Sequence, residues 1–365
     1  MADISDTHPG ARPGFRVDGL SDAIEHMYAD GLTDGLPVVP ATPELVEAML
    51  AAGPWAAGDT LLVEPTREAV VTAYQAAVCA VMAGAEPSSF PIIGATLDAM
   101  GDKRFFLHGP TTSTGGATVM VVVSGPVAAA AGVHGAENLF GPGFRANATI
   151  GRTIRLVQLL CLTAIPGELD KSTQGWPGKF SLCFTENLDA SPWDPLHVSL
   201  GYSRGQSTVT IFAAESGHSI VNHGASDPEK LLMTAADTMA ALGSFSPGRS
   251  VVVWAPEHAA KLAAWSREEI QSYLYEHSCR DLATLKRTGK IEDAPDSDVD
   301  WRGSWHAAGD TTIHEGDDAL MVRRGWGPED ILVLTGGGAA GGHSAFFPSW
   351  SRGRSVGFIT REVPT

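Results

Sequence analysis

The chain has 365 residues, of which 25 are basic and 42 acidic, so its formal net charge is −17. This excess of acid argues against a general nucleic-acid binder and against docking on anionic lipid, because both depend on surplus Lys and Arg. Hydrophobic residues make up 44% of the chain and charged residues 18%, a balance typical of a folded protein with a large core.

The amino terminus and the cysteines bear on where the protein works. Residues 1–18 are predicted to form a flexible arm, without the basic and apolar regions of a secretory signal. No apolar run approaches the ~18–20 residues of a membrane span. The cysteines form no CxxC pair, which argues against a zinc knuckle or a thioredoxin-type site; they are Cys79, Cys161, Cys183 and Cys279. We interpret Cys79 and Cys161 as buried thiols and expect a reducing cytoplasm.

The first half of the chain is predicted to consist of helices around one buried strand. The expected helices run from Ser21 to about Asp30, onward from Thr42-Pro43-Glu44, from an N-cap at Thr66 to about Ala83 with Gly84 as its stop, through FPIIGATLDAM, and from Ala146 to Ala164. The continuous β-branched run at 117–126 is typical of a strand that is buried on both faces.

The second half of the chain alternates predicted strands at 207–213, 250–254 and 331–335 with helices at 227–242 and 256–277. The pattern indicates an α/β or α+β fold, a mixed layered sheet with flanking helices. We expect two similar-sized lobes, 19–200 and 201–365. The polar segment 287–318 is expected to be a surface excursion or lid.

The segment 134–160, HGAENLFGPGFRANATIGRTIRLVQLL, is the most informative stretch for function. Arg145, Thr149 and Arg152 follow helical spacing, and Arg155 extends the same side. Cations in the first turns of a helix oppose its dipole, and a bound anion would offset that cost. We therefore expect a carboxylate or phosphate site whose ligands include Arg145, Asn147 and Arg152, with Asn138 beside them. The alternative is an ion-pair network with acids of the same chain.

A second candidate segment, 170–197, gathers polar side chains among turn residues. Polar groups on loops bind ligands more often than those inside regular elements. Glu186 is the expected general base and Lys179 its electrostatic partner, with Gln174 binding substrate. The alternative is a loop that hydrogen-bonds its own backbone and uses Trp176 and Trp193 as packing anchors.

The glycine-rich loop 336–342 follows a predicted strand and satisfies G-x-G-x-x-G at Gly336, Gly338 and Gly341. A dinucleotide site also needs a long helix and an acid about 20 residues on, and too little chain follows, so we reject NAD binding by this motif. The loop is still compatible with a nest of backbone N–H groups that holds an anion. In that interpretation His343 is a proton-transfer group and Ser344 binds substrate. The alternative is a flexible turn with a surface histidine.

Two further segments carry candidate ligands. Thr111 and Thr112 precede the buried strand, where their hydroxyls either orient a substrate or cap the backbone. Glu215, His218 and His223 supply the donor types of a metal facial triad, although the spacing of the histidines suits only a loop. The cofactor therefore stays unknown, with a divalent metal as one option. We find no flavin, nicotinamide, PLP or haem motif.

Several longer motifs carry a resemblance to a known family. They are DGLPVVPATPE near the start, GPGFRANATIGR in the middle, TQGWPGKFS and ENLDASPWDPLHV after it, and APEHA near residue 257. Over about residues 30–360 the chain resembles the UGSC-type family of bacterial proteins, named for a selenocysteine- or cysteine-Gly-Ser-Cys module. The resemblance implies a shared α/β architecture and a shared site, and it names no reaction. This chain has His277-Ser278-Cys279 in place of the module, so the resemblance implies no thiol or selenol chemistry here.

Together these patterns predict an enzyme of small-molecule metabolism, a hydrolase or a lyase/hydratase. Its substrate would be a small carboxylate-bearing anion, held by the Arg cluster where that helix start, the 174–197 loop and the 336–344 loop meet. One alternative is a non-catalytic anion-binding protein. Another is a thiol-dependent redox protein, which requires an exposed Cys279 with a depressed pKa. The composition also suits a homodimer.

Overall fold

The computed structural model describes residues 19–291, 318–351, 353 and 355–364. The predicted arm at 1–18 and most of the predicted polar excursion at 287–318 lie outside these residues. Before residue 200 the elements are α1 (Leu20–Ala29), α2 (Pro43–Leu50), β1 (Thr60–Glu64), β2 (Ala69–Thr72), α3 (Ala73–Ala83), α4 (Phe90–Gly101), α5 (His108–Thr112), β3 (Thr118–Ser124), α6 (Pro126–Ala130), α7 (Arg145–Leu156), β4 (Cys183–Thr185) and α8 (Leu196–Ser199).

After residue 200 the described elements are β5 (Thr208–Ala214), β6 (His218–Val221), α9 (Pro228–Met239), β7 (Ser250–Trp254), α10 (Pro256–Lys261), α11 (Arg267–His277), β8 (Cys279–Asp281), α12 (Leu282–Arg287), β9 (Met321–Arg323), β10 (Ile331–Thr335), β11 (His343–Pro348) and β12 (Ile359–Glu362). The buried strands predicted at 250–254 and 331–335 are confirmed with the same bounds, and those at 117–126 and 207–213 lie within one or two residues of β3 and β5.

Two mixed sheets form the centre of the described chain. The first has the order β12-β5-β3-β4, in which β3 and β4 are parallel and the other neighbours antiparallel. The second has the order β10-β7-β11-β6, in which β10 and β7 are parallel and β11 is antiparallel to both of its neighbours. Two small antiparallel pairs, β1 with β2 and β8 with β9, lie outside them.

Side chains alternate between the two faces of each strand, and the two sheets pack against each other between layers of helices. On β3, Val119, Val121 and Val123 belong to an apolar cluster shared with α3, α4 and α7. Met120 and Val122 point the other way and join residues of β7, β10 and β11. The far face of the second sheet packs on α9 and α11. The order of layers is therefore helix, sheet, sheet, helix, and the predicted α/β or α+β class with flanking helices is confirmed.

The helix predicted to start at Thr66 is wrong over its first turns. The Glu64 carboxylate accepts the backbone N–H groups of Thr66 and Arg67, which closes a turn, and Val70 and Val71 then pair with β1. The helix instead begins at Ala73, where the Thr72 hydroxyl and the Gln75 side chain form a capping box. Gly84 ends the helix, as predicted, and adopts the left-handed conformation.

Two other predicted helices have a different extent. The helix expected at 256–277 is divided into α10 and α11 because Ser266 and Glu269 form a new capping box between them. The helix expected at 146–164 is α7, which continues as a π-helical turn, Val157–Cys161. Such turns are rare and occur often at functional sites.

The strand directions bring the carboxyl ends of several strands from each sheet to the same end of the molecule. The carboxyl ends of β3, β4 and β12 lie together, and so do those of β6, β7 and β10. Asn187, just after β4, donates its backbone N–H to the carbonyl oxygen of Thr335 and its side-chain amide to that of Gly337, each at 2.9 Å. We call this end the carboxyl edge. Because β5 and β12 belong to the sheet of β3 and β4, that sheet contains strands from both sides of residue 200.

Candidate active site

The arginines at the start of α7 lie against carboxylates of the same chain. Arg145 contacts Glu86 at 2.6 Å, and Arg155 contacts Asp170 at 3.2 Å. Arg152 makes a two-pronged contact with Asp34, with both N–O distances 2.8 Å. The counter-charge that the sequence analysis expected from a bound anion is thus supplied by the protein. The geometry matches the ion-pair alternative.

The polar residues expected beside these arginines hold backbone. Asn147 is buried, accepts a hydrogen bond from the His134 backbone N–H at 2.7 Å and donates to its carbonyl oxygen at 2.9 Å. Asn138 donates to the carbonyl oxygen of Pro142. Thr111 and Thr112 donate to carbonyl oxygens one turn earlier in the chain. These contacts fix the local backbone, as the capping alternative expects.

Lys179 lies in a short 3-10 turn before β4 and Glu186 follows β4, and the two bind different partners, so the structure does not pair the expected base with Lys179. Lys179 Nζ is 2.6 Å from Asp170 and 2.7 Å from Ser172 Oγ. Burial is the largest influence and lowers the pKa of Lys179, although Asp170 opposes it. Gln174 is exposed in the same stretch of chain.

The glycine-rich loop after β10 is shaped by contact with the 134–139 segment. A Cβ on Gly336 would lie 2.6 Å from Leu139, and one on Gly338 would lie 2.7 Å from Glu137. The backbone N–H of Gly337 donates to the carbonyl oxygen of Gly135 at 2.9 Å. The absence of side chains therefore lets the loop pack closely on its neighbour.

His343 and Ser344 begin β11 but have different surroundings. His343 is exposed, and its ring lies 4.9 Å from that of His223, centroid to centroid. Ser344 is buried, and its Oγ accepts from the Ala255 N–H and lies 2.7 Å from His258 Nδ1. Ser344 is therefore held inside the protein by His258.

The three expected metal ligands do not form a common site. His218 lies against Phe346, with 5.6 Å between ring centroids. His223 lies against His343, whereas Glu215 follows β5 and pairs through its backbone with Pro348. Within the described ranges, no group of three His, Cys, Asp or Glu side chains is placed to hold a metal ion.

Cys279 differs from what the redox alternative requires. It is half-buried, and burial raises the pKa of its thiol above the ordinary value even though Arg323 and Arg280 lie near. A reactive thiol needs the opposite shift, because the thiolate is the nucleophile.

The structure assembles a buried polar group at the carboxyl edge that the sequence analysis identified only in part. Ser124 ends β3, and its register partner is Thr208, the first residue of β5. Val123 is the partner of Thr185, so Glu186 follows beside Ser124. Their place in the alternation turns Ser124, Glu186 and Thr208 towards the layer between the sheets. His197 of α8 follows Leu196, whose N–H binds Glu186, and we call these four residues the edge cluster.

The edge cluster has unused hydrogen-bonding capacity. Ser124, Glu186, His197 and Thr208 are each at most 4% exposed. Among the described residues, no hydrogen-bond partner is present for Ser124 Oγ, Thr208 Oγ1, Glu186 Oε1 or either ring nitrogen of His197. Buried polar groups are normally paired, so a group of unpaired ones indicates a place for water or a ligand.

Glu186 has the most perturbed environment of the four. Its Oε2 accepts the backbone N–H of Leu196 at 2.6 Å, and its Oε1 is 3.6 Å from Arg267 Nη2. Burial raises the pKa of Glu186 to about 7, despite the opposing influence of the Leu196 N–H and of Arg267. A carboxyl group with this pKa exchanges its proton near neutral pH, as a general acid–base requires.

His197 supplies a second titratable group. Burial lowers the pKa of its ring, which favours the neutral form. Backbone groups of Ser203 and Arg204 lie near enough to influence the ring, but neither makes a hydrogen bond of normal geometry with it. The cluster thus combines a carboxyl group that titrates near neutrality with a neutral imidazole.

A polar pocket of about 430 Å³ lies outside the edge cluster, lined by Leu188, Ser191, Pro192, Trp193, Asp194, Pro195 and Arg204. The edge cluster does not line this pocket, but Pro195 of the lining precedes Leu196, whose N–H binds Glu186. Arg267 braces the same wall by donating to the carbonyl oxygen of Asp194 at 2.9 Å. Arg204 and Asp194 form an exposed ion pair at the pocket.

The sequence contains a signal for Ser124 and Thr208, which the sequence-based prediction of the site does not include. Ser124 is the last residue of a buried β-branched strand, and Thr208 is the first residue of another. In open α/β sheets, ligands bind outside the carboxyl ends of strands. A polar residue at the end of a predicted buried strand was therefore a candidate, but the pairing of β3 with β5 could not be predicted from the sequence.

No described helix has both the length and the apolar character needed to span a bilayer. A comparison with family models, with curated proteins and with solved structures gives no match for this chain.

Proposed function

We propose that this protein is an enzyme of small-molecule metabolism that uses Glu186 as a general acid–base. The reaction class is hydrolysis or the addition and elimination chemistry of a lyase or hydratase, and the substrate is a small carboxylate-bearing molecule. The observation that supports this most is the Glu186 carboxyl group, which is buried, has its pKa raised to about 7 and has one oxygen without a hydrogen-bond partner in the described chain. It is linked to the pocket residue Asp194 through Arg267.

The other residues have separate tasks in this proposal. The Arg204 guanidinium exchanges Asp194 for the carboxylate of the substrate at the pocket. Ser124 and Thr208 orient the reacting group or a water molecule with their hydroxyls. His197, held neutral by burial, is the second proton-transfer group. Lys179 is not part of the step, because it lies at the far end of β4.

The test uses the full-length chain and two sets of probes. Binding of acetate, malonate, succinate and citrate is measured by calorimetry, and turnover of a panel of hydroxy acids, unsaturated acids, amides and esters is followed by NMR. We expect Arg204→Gln to weaken carboxylate binding about tenfold. Glu186→Gln should lower the turnover that the panel reveals by at least about 100-fold while binding is retained.

Glu86→Gln is the matched control, because Glu86 is an exposed carboxylate in an ion pair away from the pocket. It should leave binding and turnover unchanged. Turnover by Glu186→Gln at the wild-type rate would overturn the proposal.

A binding protein without turnover is the second candidate, and one contact favours it. Arg267 joins Glu186 to the wall of the pocket through the carbonyl oxygen of Asp194, an arrangement that braces the pocket without any chemistry. In that case Glu186→Gln changes carboxylate affinity, and no member of the panel is converted.

The compartment and the assembly belong to the same proposal. All four cysteines are free thiols in the structure, which supports a reducing cytoplasm. The homodimer expected from composition is tested by light scattering of the purified chain, where the expected mass is twice 38.2 kDa.

A further inference from the structure

Two thiols that are far apart in the chain are neighbours in the fold. Cys79 lies on α3, and Cys161 is the last residue of the π-helical turn after α7. Their sulfur atoms are 4.0 Å apart although 82 residues separate them in the chain. The other two cysteines, Cys183 and Cys279, are on β4 and β8.

The pair has one accessible and one protected member. Cys79 is buried, whereas Cys161 is partly exposed to solvent. The hydrogen bond between the two sulfurs lowers the pKa of Cys161 and raises that of Cys79. An oxidant from solvent therefore meets Cys161 first, and Cys79 is in position to resolve the product.

The distance between the sulfurs is short enough for a bond after a local adjustment. A disulfide needs a separation of about 2.05 Å, so the sulfurs must approach by about 2 Å. Cys79 of α3 and Cys161 of the π-helical turn meet where these two elements pack against each other. A π-helical turn departs from regular α-helical hydrogen bonding, which gives the backbone at Cys161 a way to shift without breaking α7 itself.

We propose that Cys79 and Cys161 form a reversible disulfide when the protein meets a peroxide. The Cys161 thiolate attacks one peroxide oxygen, the O–O bond breaks, and a sulfenic acid forms while the departing hydroxide takes up the proton that the thiol had released and becomes water. Cys79 sulfur then attacks Cys161 sulfur, the S–O bond breaks, and a second water carries away the thiol proton. The two thiols lose two electrons, which reduce the peroxide.

The experiment treats the reduced full-length protein with hydrogen peroxide, blocks remaining thiols by alkylation and maps the peptides without reduction. We expect a single cross-linked peptide pair, Cys79 with Cys161, and its disappearance when a dithiol reductant is added. The melting temperature of the oxidised protein should rise by roughly 5 °C, because the link closes a long loop.

Two variants make the outcome specific. Cys161→Ser should abolish both the cross-link and the rise in melting temperature. Cys183→Ser, which removes a thiol whose pKa is raised by burial, should leave both unchanged. The proposal is overturned when Cys161 stays open to alkylation after peroxide, when it is oxidised further without a cross-link, or when it pairs with Cys183 or Cys279.

Discussion

A carboxyl group that folding removes from water prefers to hold its proton, and Glu186 is such a group. In the unfolded chain it has the ordinary pKa of 4.5, whereas in the folded protein burial raises its pKa to about 7. The folded state therefore binds the proton more tightly than the unfolded state does. The stability that this gives is fully present below about pH 4.5 and is lost as the pH rises through 7.

Glu186→Gln replaces the titrating group by one that stays neutral. Relative to the wild type, the unfolding free energy of the variant should rise between pH 4.5 and pH 8, by up to about 3 kcal/mol. Urea unfolding across this range measures the difference. A difference that does not depend on pH would show that Glu186 has the same pKa in both states.

At the scale of single elements, α7 is held to the rest of the chain by ion pairs that differ in burial. The Asp34 and Arg152 side chains are 3% and 16% exposed, and their bond ties α7 to the loop before α2. Glu86 and Arg145, at 51% and 60%, meet at the surface. When one member of a buried ion pair is removed, the other charge is left unpaired and shielded from water. When an exposed pair is broken, the remaining side chain is solvated by water instead.

Asp34→Asn should therefore lower the unfolding free energy by about 3 kcal/mol. Glu86→Gln should lower it by less than about 1 kcal/mol. Urea unfolding at pH 7 compares the two directly. Equal losses would show that burial of the Asp34 contact adds nothing to its contribution to stability.

How far an element could be predicted from sequence depended on whether its signal was local. β7 and β10 are runs of apolar residues that are buried on both faces, so their bounds were readable. The start of α3 was not, because Thr66 is a good N-cap by type but Val70 and Val71 after it pair with β1 in a strand. Glu186 was identifiable from its loop, while its neighbours Ser124 and Thr208 required the pairing of distant strands.

The arginines of α7 likewise show that local patterns can be predicted from sequence whereas contacts between distant residues cannot. Their helical spacing was readable, but their partners, Asp34, Glu86 and Asp170, come from separate parts of the chain. Charge patterns indicate that compensation is needed. They do not tell whether a ligand or the protein supplies it.

At the scale of the whole molecule, the sheet formed by β12, β5, β3 and β4 draws its strands from both halves of the chain. The layer between the sheets likewise mixes residues of β3, β4 and β5 with residues of β7, β10 and β11. A fragment that ends at residue 200 would lack β5 and β12 and would expose the apolar face of β3 to water.

Residues 19–200 expressed alone should therefore not fold. Circular dichroism and amide NMR dispersion should show no stable tertiary structure, whereas the full-length chain should melt in one transition by calorimetry. A fragment with dispersed resonances and a cooperative melt would instead support two separately folding lobes.

The pairing of β12 with β5 also has a consequence for synthesis on the ribosome. Thr210 and Thr360, whose hydroxyls meet across these strands, are separated by 150 residues. Until translation reaches β12, the outer border of β5 has open backbone donors and acceptors, which are a template for pairing with other nascent chains. Molecular chaperones that shield this border should matter most during that interval, and slowing translation between the two strands should increase aggregation of the newborn protein.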